Sequence, residues 1–484
     1  WIGWRHGMAV MIFFGFLSAF GQRVAFNIAI VAMVNQTDES AINNQTSANE
    51  CPYAYQTGKF NWDPSTSDLL LGAMFYGYVV TQFPGGYLAE RIGGCFVFGW
   101  VVMLSGVITI LTPFIAEWNL NMFIASRVLL GLIQGPICAA NHAILSKWAP
   151  VMERSFLFNL ASSGGTIASF VFFILSGYLA DSNFLGGWPS PLYITGISVC
   201  IWFIFWVFLS SESPSTHRFI SQRERDYINN SIHSVASIES GKYVPPPWKS
   251  IFTSTVVWSQ IFELFCEGIG FYIVFSVVPV YLSTVLHYRI SEDGAISAYP
   301  YIGMFFVQLL ASPIADYIRH RGWLSTTAVR KLFAILGGLM AHFVGCNHMA
   351  AVSLIIVGST MHGLSASGCI VSFLDYAPRY AGLLMGLCNP WGNIGGFLSP
   401  LFANLITNGK SSQKKWNDVF FMGAGVVLAG PIVFAIFGSS EKQPWSDGYI
   451  TEDTRPIIVV VDEEISESSD ESLHNLNLDY NHSQ

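Results

Sequence analysis

The chain has 484 residues, 52% of them hydrophobic and only 11% charged, against about 25% charged in ordinary soluble domains, which excludes a water-soluble globular protein. The net charge of −8 owes much to the stretch Asp462 to Glu471 near the C-terminus, so it says little about a ligand, and the scatter of basic residues along one membrane face excludes nucleic acid as a partner. Most cysteines (Cys95, Cys138, Cys200, Cys266, Cys369, Cys388) lie within or at the ends of apolar runs, which excludes a disulfide framework.

Runs of roughly 20 apolar residues cross a bilayer as helices. In chain order the sequence predicts twelve, near 8–34, 67–89, 95–117, 121–146, 156–181, 190–210, 255–286, 294–316, 329–346, 349–372, 379–407 and 416–438. The first is too long for a cleaved signal and reads as a retained span. The loop 35–66 that follows carries two N-glycosylation sequons, at Asn35 and Asn44, and is expected on the luminal or extracellular side.

After the sixth run the pattern breaks over 212–254, with Arg223, Glu224, Arg225, Asp226 and then Pro245, Pro246 and Pro247, which reads as a cytosolic linker. The expected organisation is an N-terminal six-helix half (1–211), the linker (212–254), a C-terminal six-helix half (255–438) and an acidic, disordered cytosolic tail (439–484) able to recruit sorting or regulatory proteins. Placing both termini in the cytosol puts basic residues inside over outside by roughly three to one, as positive-inside topology requires. The segments Gly86-Tyr87-Leu88-Ala89-Glu90-Arg91 and Ser312-Pro313-Ile314-Ala315-Asp316-Tyr317 repeat an Ala-acid pair after the second and eighth runs. The fold class is therefore an all-α membrane protein, twelve transmembrane helices in two six-helix pseudo-repeats, with a site expected at their interface.

Arg23 and Arg127 sit inside apolar runs. A guanidinium there costs at least about 2.5 kcal/mol, so it normally faces a protein-lined cavity and holds something negative. An ion pair with a buried acid such as Glu267 is the alternative for Arg23, and Arg127 is near enough to a helix end to reach the interface. Glu263 and Glu267 share one face of the seventh helix, where Glu267 is a candidate for proton coupling and Glu263 either assists it or reaches the cytosolic interface. His142 is a candidate relay or a packing residue, while His342, His348 and His362 have no acid in helical register. Glu90, Arg91, Asp316 and Arg319 stand at cytosolic helix ends and are gating candidates. With no His-Glu-x-x-His and no Gly-x-Ser-x-Gly motif, an enzyme is not expected. Neither a metal nor an organic cofactor is expected, and H+ or Na+ is the only candidate coupling ion.

The loop motif Gly86-x-x-x-Glu90-Arg91-x-Gly93 resembles the major facilitator superfamily. The runs Phe75 to Gly86, Arg127 to Gly135, Lys147-Trp148-Ala149-Pro150, Leu374 to Gly382 and Glu441-Lys442-Gln443-Pro444-Trp445 resemble its anion/cation symporter branch, the sialin, vesicular glutamate transporter and sodium-phosphate cotransporter family. The resemblance implies an alternating-access carrier whose Arg23 and Arg127 hold a substrate carboxylate; in the neighbouring motif runs Tyr76 is a candidate for substrate binding and Gln134 for coupling. The chain departs from sialin, which has glutamates at the places of Leu130 and Gln134, and from the glutamate transporters, which have an arginine at the place of Glu267. The expected function is transport of a small organic anion such as sialic acid, glutamate or a related acid across a vesicular, lysosomal or plasma membrane. Inorganic phosphate transport and a non-transporting anion receptor are the alternatives.

Overall fold

The computed structural model describes residues 3–34, 59–62, 64–182, 184–233, 245–278, 290–340, 356–407 and 413–447, and helices cover the described part of every predicted apolar run. In the N half these are α1 (Trp4–Met33), α2 (Pro64–Ile92), α3 (Gly94–Trp118), α4 (Leu120–Gln134), α5 (Ile137–Trp148), α6 (Arg154–Asp181) and α7 (Ser190–Leu209). The linker contributes α8 (Gln222–His233). The C half has α9 (Thr255–Tyr272), α10 (Ile290–His320), α11 (Thr326–Met340), α12 (Ile356–Tyr376, with a π-turn over Ala366–Ile370), α13 (Ala381–Thr407) and α14 (Gln413–Phe437). Nine helical stretches among the described residues are long and apolar enough to cross a membrane. No strand occurs among the described residues, only a bridge between Val34 and Phe60.

Local chemistry sets the boundaries. The Asn119 side chain accepts the Asn121 and Met122 N–H groups and starts α4. Pro136, which lacks an N–H, separates α4 from α5 within one apolar run. In the N half α1 packs on α6, α2 on α4 and α3 on α7; in the C half α9 packs on α13 and α14. The halves meet mainly through three helix pairs, α2 with α13, α6 with α10 and α5 with α13. Glycine permits the first of these crossings, since a Cβ on Gly86 would meet the Gly382 carbonyl and one on Gly386 the Gln82 carbonyl.

The linker is bound to the N half rather than hanging as a tether. Buried Glu224 of α8 accepts the Trp4 and Arg5 N–H groups at 3.0 and 3.1 Å, capping α1, and also takes Arg5 Nη1 at 3.1 Å. Glu212 likewise caps α3 through the Gly94 and Cys95 N–H groups and pairs with Lys147 at 2.6 Å. An acid at a helix N-terminus answers both the unpaired N–H groups and the helix dipole. The tail, expected to be loose from 439, is tied to the C half through 447: Ser440 N–H donates to Thr327 Oγ1 and Gln443 N–H to the Tyr376 carbonyl. The sequons at Asn35 and Asn44, His342, His348 and the acidic run 462–471 lie outside the described residues.

Candidate substrate and gating sites

Arg23 lies roughly 28 Å along α1 at 1.5 Å per residue, far from its N-terminal start. Its Nε donates to Gln134 Oε1 at 2.8 Å; Gln134 Nε2 in turn donates to Gln22 Oε1 at 3.2 Å, and Thr109 Oγ1 to the same oxygen at 3.0 Å. The guanidinium carbon stands 4.5 Å from the ring centres of both Phe20 and Tyr78. Its Nη2 is buried without a partner, and no acid among the described residues is within ion-pair distance. The ion pair with Glu267 is therefore absent; Glu267 pairs with His362 instead.

Arg127 does not reach the interface. It is 3% exposed, its guanidinium lies 3.5 Å over the Phe26 ring, and its Nε has no partner. Phe26 stands three residues beyond Arg23 on α1, which brings the two guanidinium groups onto neighbouring turns. Each aromatic face returns about 0.5–2 kcal/mol to a cation, while each buried N–H left unpaired costs about 1–3 kcal/mol. The N half thus holds two neighbouring cations that its own groups underneutralise, an arrangement suited to an anion.

Tyr76 does not join them. It is 53% exposed and stacks on Phe397 of the other half at 5.3 Å, whereas Tyr78 lies under Arg23. Two positions along a helix is about 200°, so the two tyrosines face opposite ways. Across the interface Gln82 accepts from Asn389 at 2.7 Å, and within the C half Tyr272 donates to Asn393 at 3.0 Å.

Glu263 is 1% exposed against Gly430 of α14, inside the C half rather than at the membrane interface. His362, ranked low for want of an acid in register, stands 3.5 Å from Glu267. His142 bridges the halves, with Nδ1 2.9 Å from the Cys138 carbonyl and Nε2 3.3 Å from the Ile370 carbonyl, between the rings of Phe158 and Phe373.

At the end of the bundle where α2 and α10 finish, the halves interlock with approximate two-fold symmetry. Glu90 of α2 accepts the Gly382 N–H at the start of α13 at 2.8 Å, and Asp316 of α10 accepts the Phe156 N–H at the start of α6 at 3.0 Å. Each acid of the repeated Ala-acid pair therefore caps a helix of the opposite half. Arg91 is exposed and outside this contact, while Arg319 reaches Asp316 at 3.4 Å and Asp375 at 3.6 Å.

Sequence reading missed the centre of the latch. Asp375 is held by Arg330 at 2.8 Å and Arg154 at 3.6 Å; Arg154 Nη1 also donates to the Leu374 carbonyl at 2.6 Å, and Arg330 Nη1 to Ser155 Oγ at 2.6 Å. Arg154 and Ser155 belong to the N half, Arg330 and Asp375 to the C half. The signal available was the acid closing α12 one residue beyond Leu374.

Carboxylates at helix N-termini are worth about 0.3–1 kcal/mol each. The double variant Glu90→Gln, Asp316→Asn is therefore expected to shift the closed-to-open ratio at this end by roughly tenfold. Pulsed electron resonance between spin labels at exposed Met152→Cys and Trp323→Cys reads this as a longer-distance population; an unchanged distribution counts against the capping latch.

A helical bundle of two halves, clasped at one end and carrying unpaired cations at its centre, is the architecture of a multi-pass membrane transporter. The chain belongs to the Major Facilitator Superfamily, whose family model matches residues 11–400, and within it to the anion/cation symporter branch of sialin and the vesicular glutamate transporters. It is 34% identical to sialin of Ovis aries over 457 residues (91% of this chain, 90% of that one) and 32% identical to sialin of Homo sapiens over 458 residues (91% and 90%). To vesicular glutamate transporter 2 of Bos taurus it is 36% identical over 473 residues (96% and 79%). Among solved structures it is similar to the E. coli fucose:proton symporter FucP, at 11% identity and TM-score 0.56 over 89% of this chain and 99% of that one. It is also similar to XylE, at 11% identity and TM-score 0.63 over 90% and 96%. These two likenesses concern the fold alone. The relatives are membrane transporters, and the chain is a transporter rather than an enzyme.

Proposed function

We propose that this protein is a secondary active transporter of small organic anions, carrying carboxylates related to sialic acid or glutamate by alternating access. The observation that carries this reading is Arg23, partly exposed between the halves, with one nitrogen unpartnered and no acid in reach. Arg23 makes the substrate salt bridge and Arg127 adds field behind it. The relatives' names support carboxylates as cargo. Twelve spans, both termini cytosolic and the two-half division complete the topology, with glycans at Asn35 and Asn44 on the far side and the membrane vesicular, lysosomal or plasma.

Inorganic phosphate is the second reading, favoured by Gln134: an amide rather than a carboxylate accepts from Arg23, so the cation stays fully charged for a multivalent anion. Uptake of labelled N-acetylneuraminate, L-glutamate and phosphate into proteoliposomes, at set pH, sodium and voltage, separates the two. Saturable carboxylate uptake that excess phosphate leaves unchanged is the expected result; saturable phosphate uptake with no carboxylate flux overturns the proposal. Specific anion binding without any flux would instead establish a receptor.

A further inference from the structure

The C half holds a polar cluster that anion binding does not use. Glu267 Oε1 of α9 and His362 Nε2 of α12 stand 3.5 Å apart, the two side chains 13% and 14% exposed. The Cys369 thiol donates to the other Glu267 oxygen at 3.6 Å. One turn back along α9, Glu263 is buried with Oε2 unpartnered. His362 also borders an apolar cavity walled by α9, α10, α12 and α14 through Phe271, Tyr301, Met304, Phe420 and Val427.

The titratable groups around the pair are Glu263 and Cys266 of α9, Tyr301 of α10 and Cys369 of α12; α14 presents Phe420, Gly423 and Val427 to this wall. No Lys or Arg among the described residues is within ion-pair distance of Glu263 or Glu267. Two carboxylates on one buried helix face, with one imidazole and no fixed cation, are a site whose natural ligand is a proton. The N half lacks such a site at the corresponding contact, because the group touching Arg23 is the amide of Gln134, which does not titrate.

We propose that Glu267 and His362 together bind the proton that this carrier moves with its anion, an inference that rests on the organic-anion reading. Loaded, the pair is imidazolium and carboxylate with no net charge. Unloaded, the imidazolium has given one proton to water, leaving a neutral ring and a carboxylate with a charge of −1; no other bond changes. Tyr272, further along α9, packs its ring on Phe75 of α2 at 5.5 Å, one turn of α2 from the Tyr78 ring that lies under Arg23, so α9 walls the side of the bundle that Arg23 borders. An uncompensated carboxylate in that wall opposes an anion on Arg23, and a bound proton removes the opposition. Proton and anion therefore favour each other's binding by the same factor, which is the condition for symport.

The test uses the full chain in proteoliposomes with an interior pH dye, and labelled L-glutamate and N-acetylneuraminate as probes. Exchange needs no net proton movement, whereas accumulation driven by a pH gradient does. Glu267→Gln and His362→Asn are each expected to lower the ratio of gradient-driven accumulation to exchange by about tenfold, within the 5–150-fold usual for coupled sites, and to abolish substrate-evoked acidification. Glu267→Asp is expected to restore part of both. Unaltered proton flux in both variants, or exchange and accumulation falling in parallel, overturns the pair as the proton site. A substrate-free readout stands beside these. Infrared difference spectra of the purified protein should contain imidazole ring bands that titrate together with a shift of a carboxylate stretching band in the wild type; the ring bands should be missing in His362→Asn and the carboxylate shift in Glu267→Gln, and bands unchanged by either variant also overturn the proposal. Should the wild type exchange neither acid, the organic-anion reading fails while the infrared titration still decides the pair.

Discussion

Arg23→Ala is expected to weaken binding of the transported anion by at least about a hundredfold while leaving membrane expression intact. Truncating one partner of a buried, hydrogen-bonded charge pair costs about 2–5 kcal/mol, and each 1.4 kcal/mol is tenfold in affinity. The fold should tolerate the change, because Arg23 makes no ion pair among the described residues, and its Nε bond is to Gln134, which keeps its link to Gln22. Arg23→Lys retains the charge but loses the planar fork, and an intermediate loss is expected. Gln134→Glu is the sharper companion. It sets a carboxylate at the 2.8 Å contact with Arg23, so the internal pair competes with the substrate at neutral pH. Acidification protonates that carboxylate, the competition falls away, and affinity should recover as pH drops. Binding isotherms of labelled N-acetylneuraminate and L-glutamate to purified protein check all three variants. Wild-type affinity in Arg23→Ala would refute the anion role outright.

The legible and illegible parts of this protein divide along a physical line. Apolar runs could be read because a bilayer leaves a backbone little choice but helix, and Arg23 because a charge inside such a run violates the pattern it sits in. The repeated Ala-acid pair pointed to Glu90 and Asp316, yet their acceptor role at Gly382 and Phe156 could not be read, since a free N–H at a helix start leaves no mark on residue type. Register counting compares neighbours on one helix. It therefore dismissed His362, whose acid lies on another helix; the motif run that holds both Tyr76 and Tyr78 does not say which way α2 turns, and it is Tyr78 that lies under Arg23. Arg154 and Arg330 looked like loop cations at run ends. They are 1% and 0% exposed because the two halves close over them, a tertiary event that no local pattern reports.

Asp375→Asn is expected to be among the most damaging single substitutions outside the anion site. Three buried arginines, Arg154, Arg319 and Arg330, share this carboxylate, and Asp316 is their only other acid at ion-pair distance among the described residues. Breaking a buried pair by removing one partner costs about 3–5 kcal/mol, because the other charge remains desolvated. Against a total stability of about 5–15 kcal/mol that is a large fraction, so a lowered melting temperature in detergent and reduced surface or vesicle yield should follow. The effect has two parts that further variants separate. Arg330 comes from the same half as Asp375, so Arg330→Met combined with Asp375→Asn removes one charge of each sign within the C half and should recover much of the stability; a double-mutant cycle measures the coupling. Arg154 comes from the other half and also donates to the Leu374 carbonyl. Arg154→Gln should therefore leave folding closer to normal but release the closure between the halves, seen as a longer distance between labels at Met152→Cys and Trp323→Cys. A latch built this way opens only when several desolvated contacts break together, so closure is two-state rather than graded. If Arg154→Gln lowers stability as much as Asp375→Asn and leaves the label distance unchanged, the cluster is a structural core of the bundle and the gate lies elsewhere.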